Sequence, residues 1–239
     1  VEEAEETVSA RTLGNIVHGA LEELYLPYLN RILTEYDFKE INNKKDQALQ
    51  THFRNEYKDG HLDKGPNYLI YKIAEKIVDG VLTKDAKTAK ENELIIMTLE
   101  SKHEVDFTLT NGQHVKLRGI IDRIDAVNNQ IRIIDYKTGY AKDIGVKTEE
   151  IDLVYQKEDK AKQLQLIFYA HLFYAEQKNQ NKEIELCIYP IRFPKKELIK
   201  LKVDNQTLID FSIVEISKEP MSKLIEEILN QEVPFRQLD

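Results

Sequence analysis

Residues 103–139 read HEVDFTLTNGQHVKLRGIIDRIDAVNNQIRIIDYKTG, alternating apolar and polar positions with a period of two and broken by Asn111-Gly112 and Asn128-Asn129. Both dipeptides tolerate the left-handed backbone of a two-residue hairpin loop, so the segment reads as a three-stranded antiparallel meander. The second turn carries the register. With Asn128 and Asn129 in the loop, Val127 faces Gln130, and one face then pairs Ala126 with Ile131, Ile124 with Ile133, Asp122 with Asp135 and Ile120 with Lys137. The other face sets Asp125 opposite Arg132 as an ordinary ion pair. An apolar face therefore ends in two acids and a lysine. Directly opposed residues have Cβ atoms about 4.5–5.5 Å apart, where two carboxylates repel unless a cation compensates them. Hard oxygen ligands this close suit Mg²⁺ or Mn²⁺. Lys137, two residues beyond Asp135, points into the same pocket. An isolated Asp-x-Lys tripeptide is an ordinary strand-end ion pair; the hairpin partnership with Asp122 is what makes this one a candidate site.

Elements on either side of the meander complete an α/β reading. Residues 12–36 carry helical spacing interrupted by Pro27, and Lys44–Tyr57 and Tyr68–Lys84 are helical again, separated by the turn-rich DGHLDKGP. After the meander come a polar, lysine-rich loop, a helix over about 159–177, strands at 184–192 and 198–203, and a closing helix around 212–230. Without an internal repeat or a glycine- or proline-rich linker, residues 1–239 form one domain: a helical segment over about 12–90 and a catalytic α/β core over about 91–239. The N-terminus VEEAEETVSA has neither the basic and apolar regions of a signal peptide nor an initiator methionine, so the chain reads as a piece cut from a larger protein.

Four blocks resemble the PD-(D/E)xK nucleases, and within them the RecB-like branch that includes the nuclease domains of RecB, AddA and AddB. LGNIVHGALEELY at 13–25 resembles the helix bearing the motif histidine, LRGIIDRID at 117–125 the Gly-x-(Ile/Val)-Asp-Arg-(Ile/Val)-Asp strand, IIDYKTG at 133–139 the Asp-Tyr-Lys-Thr-Gly segment, and QLIFY at 165–169 the Gln-Leu-x-x-Tyr helix. Each block alone is weak, but four in the family order are specific. The resemblance implies a restriction-endonuclease-like fold, a mixed β-sheet flanked by helices with a helical N-terminal segment. It further implies that Asp122, Asp135 and His18 ligate Mg²⁺ or Mn²⁺ with the backbone carbonyl of Tyr136, that Lys137 is the catalytic lysine, and that Gln165 and Tyr169, on one helical face, border the active site and the DNA strand. Glu100 resembles an acid sometimes present ahead of the meander. The implied activity is DNA cleavage, exonucleolytic, on single-stranded ends delivered by a helicase-type domain or subunit in cytoplasmic DNA repair or recombination. AddB-type domains often hold an iron–sulfur cluster on one cysteine before the histidine helix and three near the C-terminus. This chain has only Cys187, so no such cluster forms within it, whatever a full-length parent carries.

Composition narrows the alternatives. With 34 basic and 42 acidic residues the net charge is −8, opposite to the footprint of a simple nucleic-acid coat, so any contact with phosphate is local. Lysines 157, 160, 162, 195, 196, 200 and 202 read either as such contacts or as solvated faces. No apolar run reaches the roughly 18 residues of a membrane span. Cys187, within IELCIYPI, reads as core filler in a reducing compartment. Taken alone, His18 reads as a helix histidine satisfied by a backbone carbonyl. Walker A, GxGxxG and CxxC motifs are absent, leaving helicase activity in this chain, dinucleotide binding and zinc fingers unsupported. Two other readings remain: a catalytically silent DNA-binding or scaffolding module of the same fold, and metal-dependent hydrolysis of another phosphate ester.

Overall fold

A computed structural model describes residues 10–57, 65–139, 144–177, 182–193 and 196–232. Helices α1 (Ala10–Tyr25), α2 (Glu35–Glu56) and α3 (Gly65–Glu91) precede strands β1 (Leu94–Thr108), β2 (His114–Val127) and β3 (Gln130–Lys137). Then follow β4 (Gly145–Val146), α4 (Asp152–Gln156), α5 (Ala161–Glu176), β5 (Ile184–Pro190), β6 (Ile199–Lys200), β7 (Lys202–Val203) and α6 (Ser212–Leu229). Five strands form a mixed sheet in the order β1-β2-β3-β5-β6, and β4 and β7 form a separate two-stranded ribbon. β3 and β5 are parallel, joined by a crossover containing α4 and α5, while the other neighbours in the main sheet are antiparallel.

Both faces of the central strands β3 and β5 are buried under helices. On one, α1 to α3 pack Ile16, Leu21, Phe53 and Val78 in a core with Ile134, Tyr136, Cys187 and Tyr189. On the other, Leu166, Ile167 and Ala170 of α5 and Ile213 and Met221 of α6 join Ile131, Ile133, Leu186 and Ile188. This double cover explains why β3 and β5 read as nearly continuous apolar runs. The mixed sheet between helical layers, preceded by helices, is the restriction-endonuclease-like architecture expected above.

Several local features depart from the expectation. Pro27 ends the first helix at Tyr25 and starts a short 3-10 turn, and the chain then leads to an isolated bridge from Ile32 to Ile95. Helix α2 starts at Glu35, nine residues before Lys44, because Thr34 and Asp37 form a reciprocal capping box. Asn128 and Asn129 adopt positive φ values of 49° and 66°, as a two-residue loop requires, and Val127 pairs with Gln130. The earlier loop holds three residues, since Leu109 N–H donates to Gln113 O and Gly112 takes φ 85°. The strand expected at 198–203 is split, β6 pairing with β5 and β7 with β4, and α4 went unread in the polar loop. Part of DGHLDKGP, residues 140–143, Lys195 and both chain ends lie outside the described residues.

Candidate active site

The β2–β3 ladder follows the expected register from Val127–Gln130 to Arg123–Ile134 and ends there. The expected pairs Asp122–Asp135 and Ile120–Lys137 are therefore not ladder pairs. Instead the backbone N–H of Tyr136 donates to Asp122 Oδ2 at 2.7 Å, so the carboxylate takes a donor that would otherwise face a neighbouring strand. Both acids stay close to where the strands part.

On the far side of β2 lies the second cause of the site's shape. β1 and β2 pair Leu99 with Arg123 and Ser101 with Ile121, so Glu100 falls at the position across from Asp122. Glu100 has φ 45°, a left-handed backbone costly for a residue with a Cβ. Leu99 belongs to the core beneath α1 to α3, whereas Val105, Phe107, Leu117 and Ile121 belong to the core beneath α5 and α6. Both strands thus change face together at Glu100 and Asp122 while keeping register. A residue at that crossover can meet side chains from both helical layers.

They do meet. His18 of α1 lies with its Nδ1 2.9 Å from Glu100 Oε1, and its ring packs edge-on against Tyr136 at 5.4 Å between centroids. One ligand atom each from His18, Glu100 and Asp122 lies within 4.8 Å of the others, a spacing open to a shared cation. From the α5 side, Gln165 Nε2 donates to the Tyr169 hydroxyl at 2.8 Å, and that hydroxyl donates to Asp135 Oδ1 at 3.5 Å. Lys137 Nζ stands 3.0 Å from Asp135 Oδ2. Apart from that ion pair, the buried Oδ2 has no partner among the described residues. All seven residues expected at the site, His18, Asp122, Asp135, Tyr136, Lys137, Gln165 and Tyr169, converge on this crossover. Glu100 joins the histidine and Asp122 more directly than Asp135 does. The available signal for it was its place in TLES ahead of the meander; its left-handed backbone is not visible in a sequence.

Electrostatics follow from burial. Desolvation raises the Asp122 carboxyl from 3.8 to about 7, with the neighbouring Asp135 charge adding to the rise and His18 opposing it. Desolvation also raises Asp135, against the pull of Lys137. For His18 desolvation acts downward, but hydrogen bonding to Glu100 and the charges of Asp122, Glu100 and Asp135 outweigh it, and its pKa is raised. A buried acid whose pKa is pushed up to about 7 beside a second acid, a buried carboxylate oxygen met only by Lys137, and a histidine turned to a glutamate form a set of hard donors rich in negative charge. Such donors fit a divalent cation.

Behind the site, the Asp125–Arg132 pair is part of a buried network rather than a surface bond. Arg123, 0% exposed, donates to Asp125 Oδ2 at 2.7 Å, to Asp85 Oδ2 at 2.6 Å and to the Tyr136 hydroxyl at 3.3 Å. Arg132 closes on the other oxygen of Asp125 at 2.7 Å, and Tyr25 donates to Asp85 at 2.6 Å.

Fold and site together define a nuclease-type α/β domain with an acid–lysine centre at the mouth of a split hairpin. The chain belongs to the PD-(D/E)XK nuclease superfamily, whose family model matches residues 1–239. Membership implies a nuclease that uses divalent metal ions. No curated protein matches the sequence. Among the described residues, no helix is long and apolar enough to cross a membrane.

Proposed function

We propose that this protein is a Mg²⁺- or Mn²⁺-dependent DNA nuclease of the RecB-like branch, degrading DNA exonucleolytically. In this reading residues 1–239 form the nuclease domain of a larger helicase–nuclease protein acting in cytoplasmic DNA repair or recombination. The supporting observation is the convergence of His18, Glu100, Asp122, Asp135 and Lys137 on one crossover in the sheet, with a buried Asp135 oxygen that meets only the Lys137 ammonium among the described residues.

His18, Asp122 and Asp135, with Glu100 and the Tyr136 carbonyl, would hold the cation. When bound, the cation supplies polarisation of the scissile phosphate and activation of water at neutral pH. The protein's own groups supply the rest. Lys137 orients the attacking water and offsets the negative charge that grows on the phosphate as the water oxygen adds and the P–O bond to the leaving group breaks. Tyr169, fixed by Gln165, holds one oxygen of Asp135 so that the other stays available. The Tyr136 N–H does the same for Asp122.

Incubation of linear single- and double-stranded DNA with the protein and Mg²⁺ or Mn²⁺, beside EDTA, tests this. Degradation that needs the metal and is abolished by Asp122→Ala and by Lys137→Ala is expected. Degradation that survives either substitution, or that proceeds in EDTA, refutes the assignment.

A further inference from the structure

The face change at Glu100 and Asp122 has an effect beyond the site. Past it, β1 and β2 run on as a two-stranded ribbon whose odd-numbered side chains, Val105, Phe107, Leu117 and Ile121, are buried towards α5 and α6. On the same side a Cβ on Gly119 would come within 2.7 Å of Leu172, so the ribbon lies tightly on α5 there. The even-numbered side chains point the other way, and Lys102, Glu104, Lys116, Arg118 and Ile120 are all exposed. In the paired register Lys102 faces Ile120 and Glu104 faces Arg118. A shelf therefore leads away from the centre, beginning two pairs beyond Glu100 and Asp122, at about 7 Å per two residues of strand.

The chemistry of this shelf is specific. Ile120 is 46% exposed, a large apolar side chain between two long cations. Lys102 makes no ion pair with a described residue. Arg118 gives Nε to Glu104 Oε2 at 2.7 Å, and Lys116 gives Nζ to Glu104 Oε1 at 2.6 Å. One glutamate is thus shared by two cations, Lys116 also lying 3.8 Å from Asp106, and the Arg118 side chain, 71% exposed, keeps further N–H groups for another acceptor. Together Lys102, His103, Glu104, Arg118, Gly119 and Ile120 line a hollow of about 460 Å³. On a chain of net charge −8, an apolar step flanked by basic groups beside a phosphodiester-cleaving centre is a local exception that needs an anionic partner with a flat apolar component.

We propose that this shelf binds the single-stranded part of the nucleic-acid substrate. Lys102 and Arg118 contact successive phosphates, and an unstacked base lies on Ile120, which guides the strand to the centre. The inference rests on the nuclease reading above and adds to it a path for the strand and the residues that line it. A duplex keeps its bases stacked inside and presents none to Ile120, so the shelf favours single strands.

The test measures binding of a fluorescent oligothymidylate and of a hairpin duplex by anisotropy, with Ca²⁺ replacing Mg²⁺ to withhold cleavage, over a series of salt concentrations. For the double variant Lys102→Ala with Arg118→Ala, affinity for the single strand is expected to fall about tenfold or more. The salt slope should shrink by about 1.4, as two lost phosphate contacts require at about 0.7 each. Ile120→Ser should weaken single-strand binding and leave the salt slope unchanged, while Lys102→Arg with Arg118→Lys should retain the wild-type slope. Unchanged single-strand affinity in the double variant overturns the shelf while leaving the nuclease reading intact. Equal losses on strand and duplex overturn the selectivity of the shelf for single strands. A wild-type protein that binds neither nucleic acid overturns both readings.

Discussion

Asp122 offers the sharpest perturbation, because the properties that suit it to hold a cation should make the metal-free protein less stable. Burial lifts its pKa from 3.8 to about 7, roughly three units, or about 4 kcal/mol at about 1.4 kcal/mol per unit. The sign follows from linkage. A carboxyl whose folded pKa exceeds its unfolded value binds its proton more tightly in the folded state. It therefore costs nothing below about pH 3.8, costs progressively more as pH rises to 7, and costs the full amount above that. Asp122→Asn removes the charge while keeping an oxygen able to accept the Tyr136 N–H. In EDTA at pH 8 the variant should be more stable than wild type by up to about 4 kcal/mol in urea unfolding, and the gain should shrink by roughly half or more at pH 5. Mn²⁺ should raise wild-type stability at pH 8 and leave the variant nearly unmoved. A variant less stable than wild type at pH 8, or a gain that does not shrink on acidification, refutes the argument that Asp122 is a desolvated acid awaiting a cation.

Other perturbations test neighbouring parts of the account. Arg123→Ala leaves the buried carboxylates of Asp85 and Asp125 without their shared cation and should cost about 3–5 kcal/mol by urea unfolding. Tyr169→Phe removes the hydroxyl between Gln165 and Asp135; a hydrogen bond to a charged group is worth about 1.5–3 kcal/mol, so turnover should fall about 10- to 100-fold with the fold intact by circular dichroism. Glu100→Ala should weaken Mn²⁺ binding measured by calorimetry, whereas Glu100→Gly, which also relieves the left-handed backbone, should weaken it while raising thermal stability relative to the alanine variant.

Legibility of the site tracked how local its determinants are. The Asn128-Asn129 loop fixes a register over five residue pairs because two left-handed residues are a local requirement, and the sequence states it directly. The end of that ladder before Asp122 was not legible, since it depends on a side chain taking the Tyr136 N–H from across the gap. Glu100 was seen only as an acid near the meander. Its entry into the site depends on a concerted face change in two strands, which interrupts the period-two pattern by a single step and so leaves almost no trace in periodicity. The Asp125–Arg132 pair was read correctly in register and wrongly in setting, because Asp125 is fully buried and also binds Arg123, which in turn meets Asp85 of α3, 38 residues upstream of it. Likewise the start of α2 was hidden by the weak apolar spacing before Lys44, although the Thr34–Asp37 box was there to be read.

The proposed site has His18, Glu100, Asp122 and Asp135 sharing one divalent ion. Anomalous diffraction at the manganese edge, from crystals grown with Mn²⁺, measures this directly. A peak is expected at the β2–β3 fork, within coordination distance of carboxylate oxygens of Glu100, Asp122 and Asp135 and beside His18. A fork without a peak, with manganese bound elsewhere or nowhere, would contradict it.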